Sequence, residues 1–285
     1  MFREKRNIYF APICAALAVL VLLLSACSAS TTVPTATQPP ATMPPPAPTA
    51  TQAVPTNTPS QPQQTETGQG VTATLDVNGV AQDFTSEVIE AVLPGPDRPW
   101  WEPMPQYTLL TLSGYLITDH LMKPQIYIYP AKDLGVNEAA GKAVAELQEL
   151  LHDQQAGEEL PFLPLFNAAQ MMHAQVKYLD PQNGKGVRYL TQYTQGIVPI
   201  NNHELIYTYQ GLTSDGKYYV AAVLPVNLAS LPTDEKWHVQ EPPVGEDFGK
   251  YIDEVVSNLN EQPTSAFTPD LSKLDALIQS IEIND

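Results

Sequence analysis

Five histidines (His120, His152, His173, His203 and His238), 31 Asp+Glu and two cysteines are the groups this 285-residue chain offers for acid–base, nucleophilic or metal chemistry. None of the histidines forms HExxH or an i, i+4 pair, so no zinc signature exists. Asp119-His120 and His203-Glu204 are adjacent pairs. On a strand, neighbours point to opposite faces, so neither pair chelates within itself if extended. No GxSxG elbow, phosphate-binding loop, GxGxxG turn or DxDxDG calcium loop is present. Paired carboxylates could hydrolyse glycosides, but so acidic a chain brings some together by chance. No catalytic residue, metal ligand or cofactor motif is therefore assigned. Binding chemistry is better represented. Trp100, Trp101 and Tyr107 lie among five prolines between Pro94 and Tyr107. On a stiff exposed loop they would stack on sugars or receive a protein partner; otherwise the Trp pair folds back over the sheet edge. Asn201, Asn202 and His203, with the 180–186 turn, would line a second, polar patch. Seven tyrosines between Tyr178 and Tyr219 suit half-buried strands, or an aromatic groove.

Those groups need elements to position them, and the chain divides into three parts. Arg3, Lys5 and Arg6 precede an uncharged run, Ile8 to Leu24, which ends in Leu24-Ser25-Ala26-Cys27. This is a secretory signal pattern, and its end resembles the lipobox of bacterial lipoproteins. The resemblance implies cleavage before Cys27, acylation of its thiol, and membrane lipid as a partner; an uncleaved transmembrane anchor is the alternative. Residues 1–26 are thus read as signal peptide, which discards Cys14 and leaves no free thiol. The mature chain keeps 11 basic and 30 acidic residues, a net of −19. That charge argues against a nucleic-acid partner.

Residues 27–70 read as the lipidated cysteine and a tether. Residues 31–70 hold 10 Pro and 11 Thr, with no aromatic, Leu or Ile. Such a composition cannot bury enough apolar surface to offset its ordering entropy. It would act as a disordered spacer, spanning up to roughly 130 Å at about 3.1 Å per residue. A glycosylated stalk or a Pro-rich ligand are alternative roles.

Residues 71–285 read as a single α+β domain. The apolar stripe Phe248, Tyr251, Ile252, Val255, Val256, Leu259 predicts a helix over 246–261. A second is expected over 137–152, capped by Asn137. A third is expected to start at Thr268 as cap, with Pro269 in the first turn. Alternation predicts strands over 171–179 (Met172, Ala174, Val176 and Tyr178 on one face), 187–194, 203–210 and 218–226. Two more are expected over 107–115 and 125–129, about six in all, with a short closing strand at 281–283. Helices segregated from an antiparallel sheet give α+β. By element order the domain resembles a Mog1/PsbP-like sandwich.

Particular stretches carry a further resemblance. They are Pro161-Phe162-Leu163-Pro164-Leu165-Phe166-Asn167-Ala168-Ala169-Gln170, Gly186 to Tyr193, Pro199-Ile200-Asn201-Asn202-His203-Glu204-Leu205 and Tyr207 to Val220. Together they resemble uncharacterised lipoproteins of Chloroflexi-type bacteria, a group that supplies no activity. The expectation is a lipid-anchored envelope protein on the extracytoplasmic side, a binding or scaffolding module for an envelope protein or glycan. The alternative is an envelope hydrolase of glycans or peptides with a site assembled from dispersed Asp, Glu and His.

Overall fold

The computed structural model describes residues 70–284 apart from 156, 158 and 238–242. The expected signal segment, Cys27, the tether up to residue 69, and His238 lie outside the described residues. The strands are β1 (Thr72–Thr74), β2 (Asp83–Ile89), β3 (Tyr107–Ser113), β4 (Gln125–Pro130), β5 (Ala169–Leu179), β6 (Gly184–Thr194), β7 (Ile206–Thr213), β8 (Tyr218–Pro225), β9 (Asn227–Leu228), β10 (Phe267–Thr268) and β11 (Glu282–Asn284). The helices are α1 (Glu138–Asp153), α2 (Glu246–Glu261) and α3 (Leu271–Gln279). Seven strands form one antiparallel sheet in the order β2-β3-β4-β8-β7-β6-β5. The α+β class holds, with one strand more than expected. That strand is β2, whose Asp-Phe-Thr-Ser-Glu-Val-Ile lies on an edge. Half of it faces water, so no hydrophobic alternation marks it. The closing strand pairs not with the sheet but with β1.

Each face of the sheet has its own core. On one, α2, α3 and β11 cover Leu110, Leu112, Ile126, Tyr207, Tyr209 and Leu224. On the other, α1 and residues 160–166 cover Val187, Tyr189, Ile206, Tyr219 and Val223. This double cover explains why β7 is buried along its whole length. Tyr209 lies flat over a glycine slot: a Cβ on Gly186 or Gly211 would overlap its ring.

Asn137 caps α1 as expected, its Oδ1 accepting from Ala139 N (2.9 Å) and Ala140 N (3.3 Å). Helix α2 matches its apolar stripe. Helix α3 corrects the expected cap. Thr268 is committed to β10, paired with Asn227, so the cap moves to Asp270, which accepts from Ser272 N at 2.8 Å.

Strand β5 corrects the expected alternation. Gln175 takes a left-handed φ of 54° and the register with β6 slips between Ala174 and Lys177. Met172 and Ala174 enter the α2–α3 core, Val176 is turned to solvent, and Tyr178 packs in the α1 core. The bulge is gripped from both sides. Gln175 Nε2 donates to Leu259 O (2.8 Å) and Gln262 O (2.9 Å), satisfying carbonyls at the end of α2. Asn260 Oδ1 accepts from Gln175 N at 2.6 Å. From the sheet side Arg188 Nη1 donates to Gln175 O. Arg188 Nε also meets Asp275 Oδ1 of α3 at 3.0 Å. Asp275 further accepts from Tyr207 Oη (3.0 Å) and Lys177 Nζ (2.9 Å). Arg188 and Asp275 are only 2% and 4% exposed, so each charge depends on the other for compensation.

Candidate functional site

The α1 side of the sheet is covered over β6, β7 and β8 and open over β2, β3 and β4. Leu134, Ala140, Ala143, Leu147 and Leu150 fill the space above the buried half. Residues 160–166 are fastened there by Gln210, whose Oε1 accepts from Leu163 N and whose Nε2 donates to Leu163 O, both at 3.0 Å. Among the described residues this cover thins beyond Tyr129, although Tyr107, Met122 and Tyr127 still pack against the core. Tyr107, Leu109, Thr111, Gln125 and Tyr127 on the same face are all partly exposed, and Thr85 and Glu87 of β2 form an exposed rim.

This open half is a shelf of aromatic rings, Tyr107 tilted 36° to Tyr127, with polar groups beside them. Tyr107 and Tyr127 have centroids 6.0 Å apart, and Tyr127 runs parallel to buried Tyr129, planes 9° apart. Tyr127 Oη donates to Gln125 Oε1 at 2.9 Å, and Gln125 Nε2 donates to Thr111 Oγ1 at 3.2 Å. Burial raises the pKa of both phenols, and Glu87 adds to the rise at Tyr107. Both therefore remain neutral, able to donate or accept. A ring surface flanked by an amide and a hydroxyl can stack on an apolar sugar face while bonding its hydroxyls.

Of the expected binding residues, Tyr107 lies on the shelf and the Trp pair lies on the loop that runs into it. The Val92–Met104 bridge closes that loop. Asn137 Nδ2 donates to Trp100 O (2.6 Å) and Pro103 O (3.3 Å), tying the loop to the start of α1. The two indoles meet edge to face at 5.7 Å. Trp100 is 53% exposed, and Trp101 is partly covered.

Asn201, Asn202 and His203 stand at the opposite end of the sheet. Asn201 is fully buried; its Nδ2 donates to Pro199 O and Glu204 Oε2, and its Oδ1 accepts from His203 N. Asn202 Nδ2 donates to Leu228 O (3.0 Å) and Leu231 O (3.2 Å), holding the β8–β9 segment. These amides are engaged in joining loops. His203 comes near His120, centroids 6.3 Å apart. His120 is held through both ring nitrogens by backbone groups of Met122 and Leu205. Met122 N–H can only donate, so Nδ1 accepts it (2.9 Å) and the proton sits on Nε2, facing Leu205 O at 2.9 Å. Burial lowers its pKa. Glu204 Oε2 accepts from Gln192 Nε2 and Asn201 Nδ2. Among the described residues, no three His, Cys, Asp or Glu side chains converge on a common point for a metal. The 180–186 turn borders a shallow groove shared with Thr213, Asp215, Tyr218 and Asn284.

Sequence reasoning missed Thr111, Gln125 and Tyr127. Their signal was the alternation of β3 and β4, and only the pairing Leu109 opposite Tyr127 and Thr111 opposite Gln125 shows that they share a patch. No protein-family model matches the chain, and no curated protein and no solved structure is significantly similar to it.

Proposed function

We propose that the chain is a lipid-anchored, extracytoplasmic binding module of the cell envelope. Its β2–β3–β4 shelf takes a glycan. The observation that carries the reading is the shelf itself: neutral Tyr107 and Tyr127 beside the Gln125 amide and Thr111 hydroxyl, bordered by a stiffened loop with an open Trp100. The anchor rests on the Leu24-Ser25-Ala26-Cys27 pattern, the resemblance to Chloroflexi-type lipoproteins, and the Pro/Thr-rich segment that would hold an acidic domain off anionic lipid. Two measurements test it. Cys27→Ser abolishes incorporation of labelled palmitate and leaves an unprocessed precursor; normal processing of that variant sinks the anchor. The chain from Ser28 onward is retained on insoluble envelope glycan, and Tyr127→Ala with Trp100→Ala cuts retention at least tenfold. Equal retention of that double variant removes the shelf as the site.

A further inference from the structure

The two edges of the seven-stranded sheet are protected very differently. At the β5 edge, α2 lies alongside, the bulge at Gln175 breaks the ladder, and Asn260 occupies the Gln175 N–H. Bulges and covering helices are the usual ways of blocking edge pairing. Among the described residues strand β2 has neither a covering helix nor a bulge, and the one outward donor met by a side chain is Phe84 N–H, which bonds Asp83. It pairs with β3 in unbroken register from Asp83 to Ile89 and contains no Pro, no Gly and no Lys. Among the described residues no strand lies on its outer side.

The outward groups of β2 can be identified. Leu112 N donates to Pro124 O, so even-numbered β3 residues address β4 and odd-numbered ones address β2. Through the β2–β3 register, Asp83, Thr85, Glu87 and Ile89 bond β3, and Phe84, Ser86 and Val88 turn their backbone groups outward. Phe84 N–H is met by the side chain of Asp83, at 2.8 Å, as an outward donor without a ladder partner would be.

From this edge we infer that the protein forms a two-fold dimer by antiparallel pairing of β2 with β2 of a second copy, centred on Ser86. The strand is complementary to itself in this register. Ser86 faces its own symmetry mate, Phe84 faces Val88, Thr85 faces Glu87, and Asp83 faces Ile89. No two like charges stand directly opposite, and two aromatic–aliphatic pairs form on the α2–α3 side. All three outward residues fall in hydrogen-bonded positions, giving about six backbone bonds, two of them made by Phe84 N–H groups that exchange the Asp83 side chain for the second copy. A two-fold axis perpendicular to the sheet keeps like faces together. The two open shelves would then lie on one side of a continuous sheet, with Thr85 and Glu87 of both copies between them. The other edge cannot take this role, because α2 and the bulge occupy it. The dimer stands independently of what the shelf binds.

The test uses the full chain in membranes and in detergent. Ser86→Cys places two thiols opposite each other across the axis, within disulfide reach. Mild oxidation should link most of that variant as a dimer. Wild type and Glu90→Cys, which share Cys14 and Cys27, set the baseline. Sedimentation in detergent should give twice the chain mass for wild type and one chain mass for Ser86→Pro. Ser86→Pro removes only an outward N–H and should keep the wild-type circular dichroism. A monomeric wild type, or no linkage of Ser86→Cys above baseline, overturns the proposal. So does linkage of Ser86→Cys to a protein of different mass, which would mean that a foreign strand takes the edge.

Discussion

The β5–β6–β7 half of the sheet and the β2–β3–β4 half are built from similar strands and differ in what is spent on closing them. In the first, a buried ion pair, a left-handed Gln and three helices seal both faces and the edge. In the second, one face is left as a partly exposed aromatic shelf and, among the described residues, no strand pairs with the outer edge of β2. The closed half carries the buried charge and the backbone strain; the open half carries neither. The difference shows which half of the fold is closed by packing and buried charge and which half is left partly exposed.

Substitutions should separate the halves by magnitude. The largest effect is expected from Asp275→Ala. It leaves Arg188 charged and uncompensated in the core, a loss of about 3–5 kcal/mol on the scale for broken buried pairs. Chemical denaturation measures it, and a cost below about 1 kcal/mol would show that the network is not holding the closed half. Next is the bulge. Gln175→Ala removes the amide that caps α2, worth about 1–2 kcal/mol. Gln175→Gly loses the same bonds but relieves a left-handed φ, so it should be the milder of the two. If Gly is worse than Ala, the bulge is not strained.

A pH dependence follows at the loop end. Burial depresses His120, and also His173, below the usual histidine value, so the folded state binds fewer protons than the unfolded chain. Their contribution is complete above the unfolded value near 6.5 and is lost as pH falls through the lower folded value. His120→Gln should flatten part of the decline in Tm between neutral and mildly acid pH, His173 supplying the rest. An unchanged slope would show that His120 is not held neutral. The smallest change in stability belongs to the open half. Trp100→Ala and Tyr127→Phe should stay within about 0.5 kcal/mol of wild type while weakening ligand retention. A large loss of stability from either would show that the shelf is core rather than site.

How much could be read in advance follows the same division. Helix α2 is legible because a local 3.6-residue stripe specifies it, and α1 because Asn137 caps it through neighbours two and three residues on. The closed half misleads at β5, where one left-handed residue inverts every later side chain. That conformation is set by contacts to Arg188 and Asn260, remote in sequence. In the open half β2 is silent, since an edge strand with a wet face has no reason to alternate. The shelf was legible in Trp100, Trp101 and Tyr107, a local cluster. Gln125 and Tyr127 join it only through strand register.

The pairing of β1 with β11 has a mechanical consequence. Thr72 stands opposite Asn284 and Thr74 opposite Glu282, and Thr72 Oγ1 donates to Asn284 O at 3.1 Å. Gly70 and Val71 lead directly into this pair. A pull on Gly70 along the β1 axis would load the β1–β11 bonds together, in shear, instead of peeling them one at a time. Ala73 and Ile283 are buried beneath them, and Asn183 Nδ2 grips Ile283 O at 3.0 Å. The entry to the domain at Thr72 is thus the point at which such tension would be borne, and its grip comes from β11.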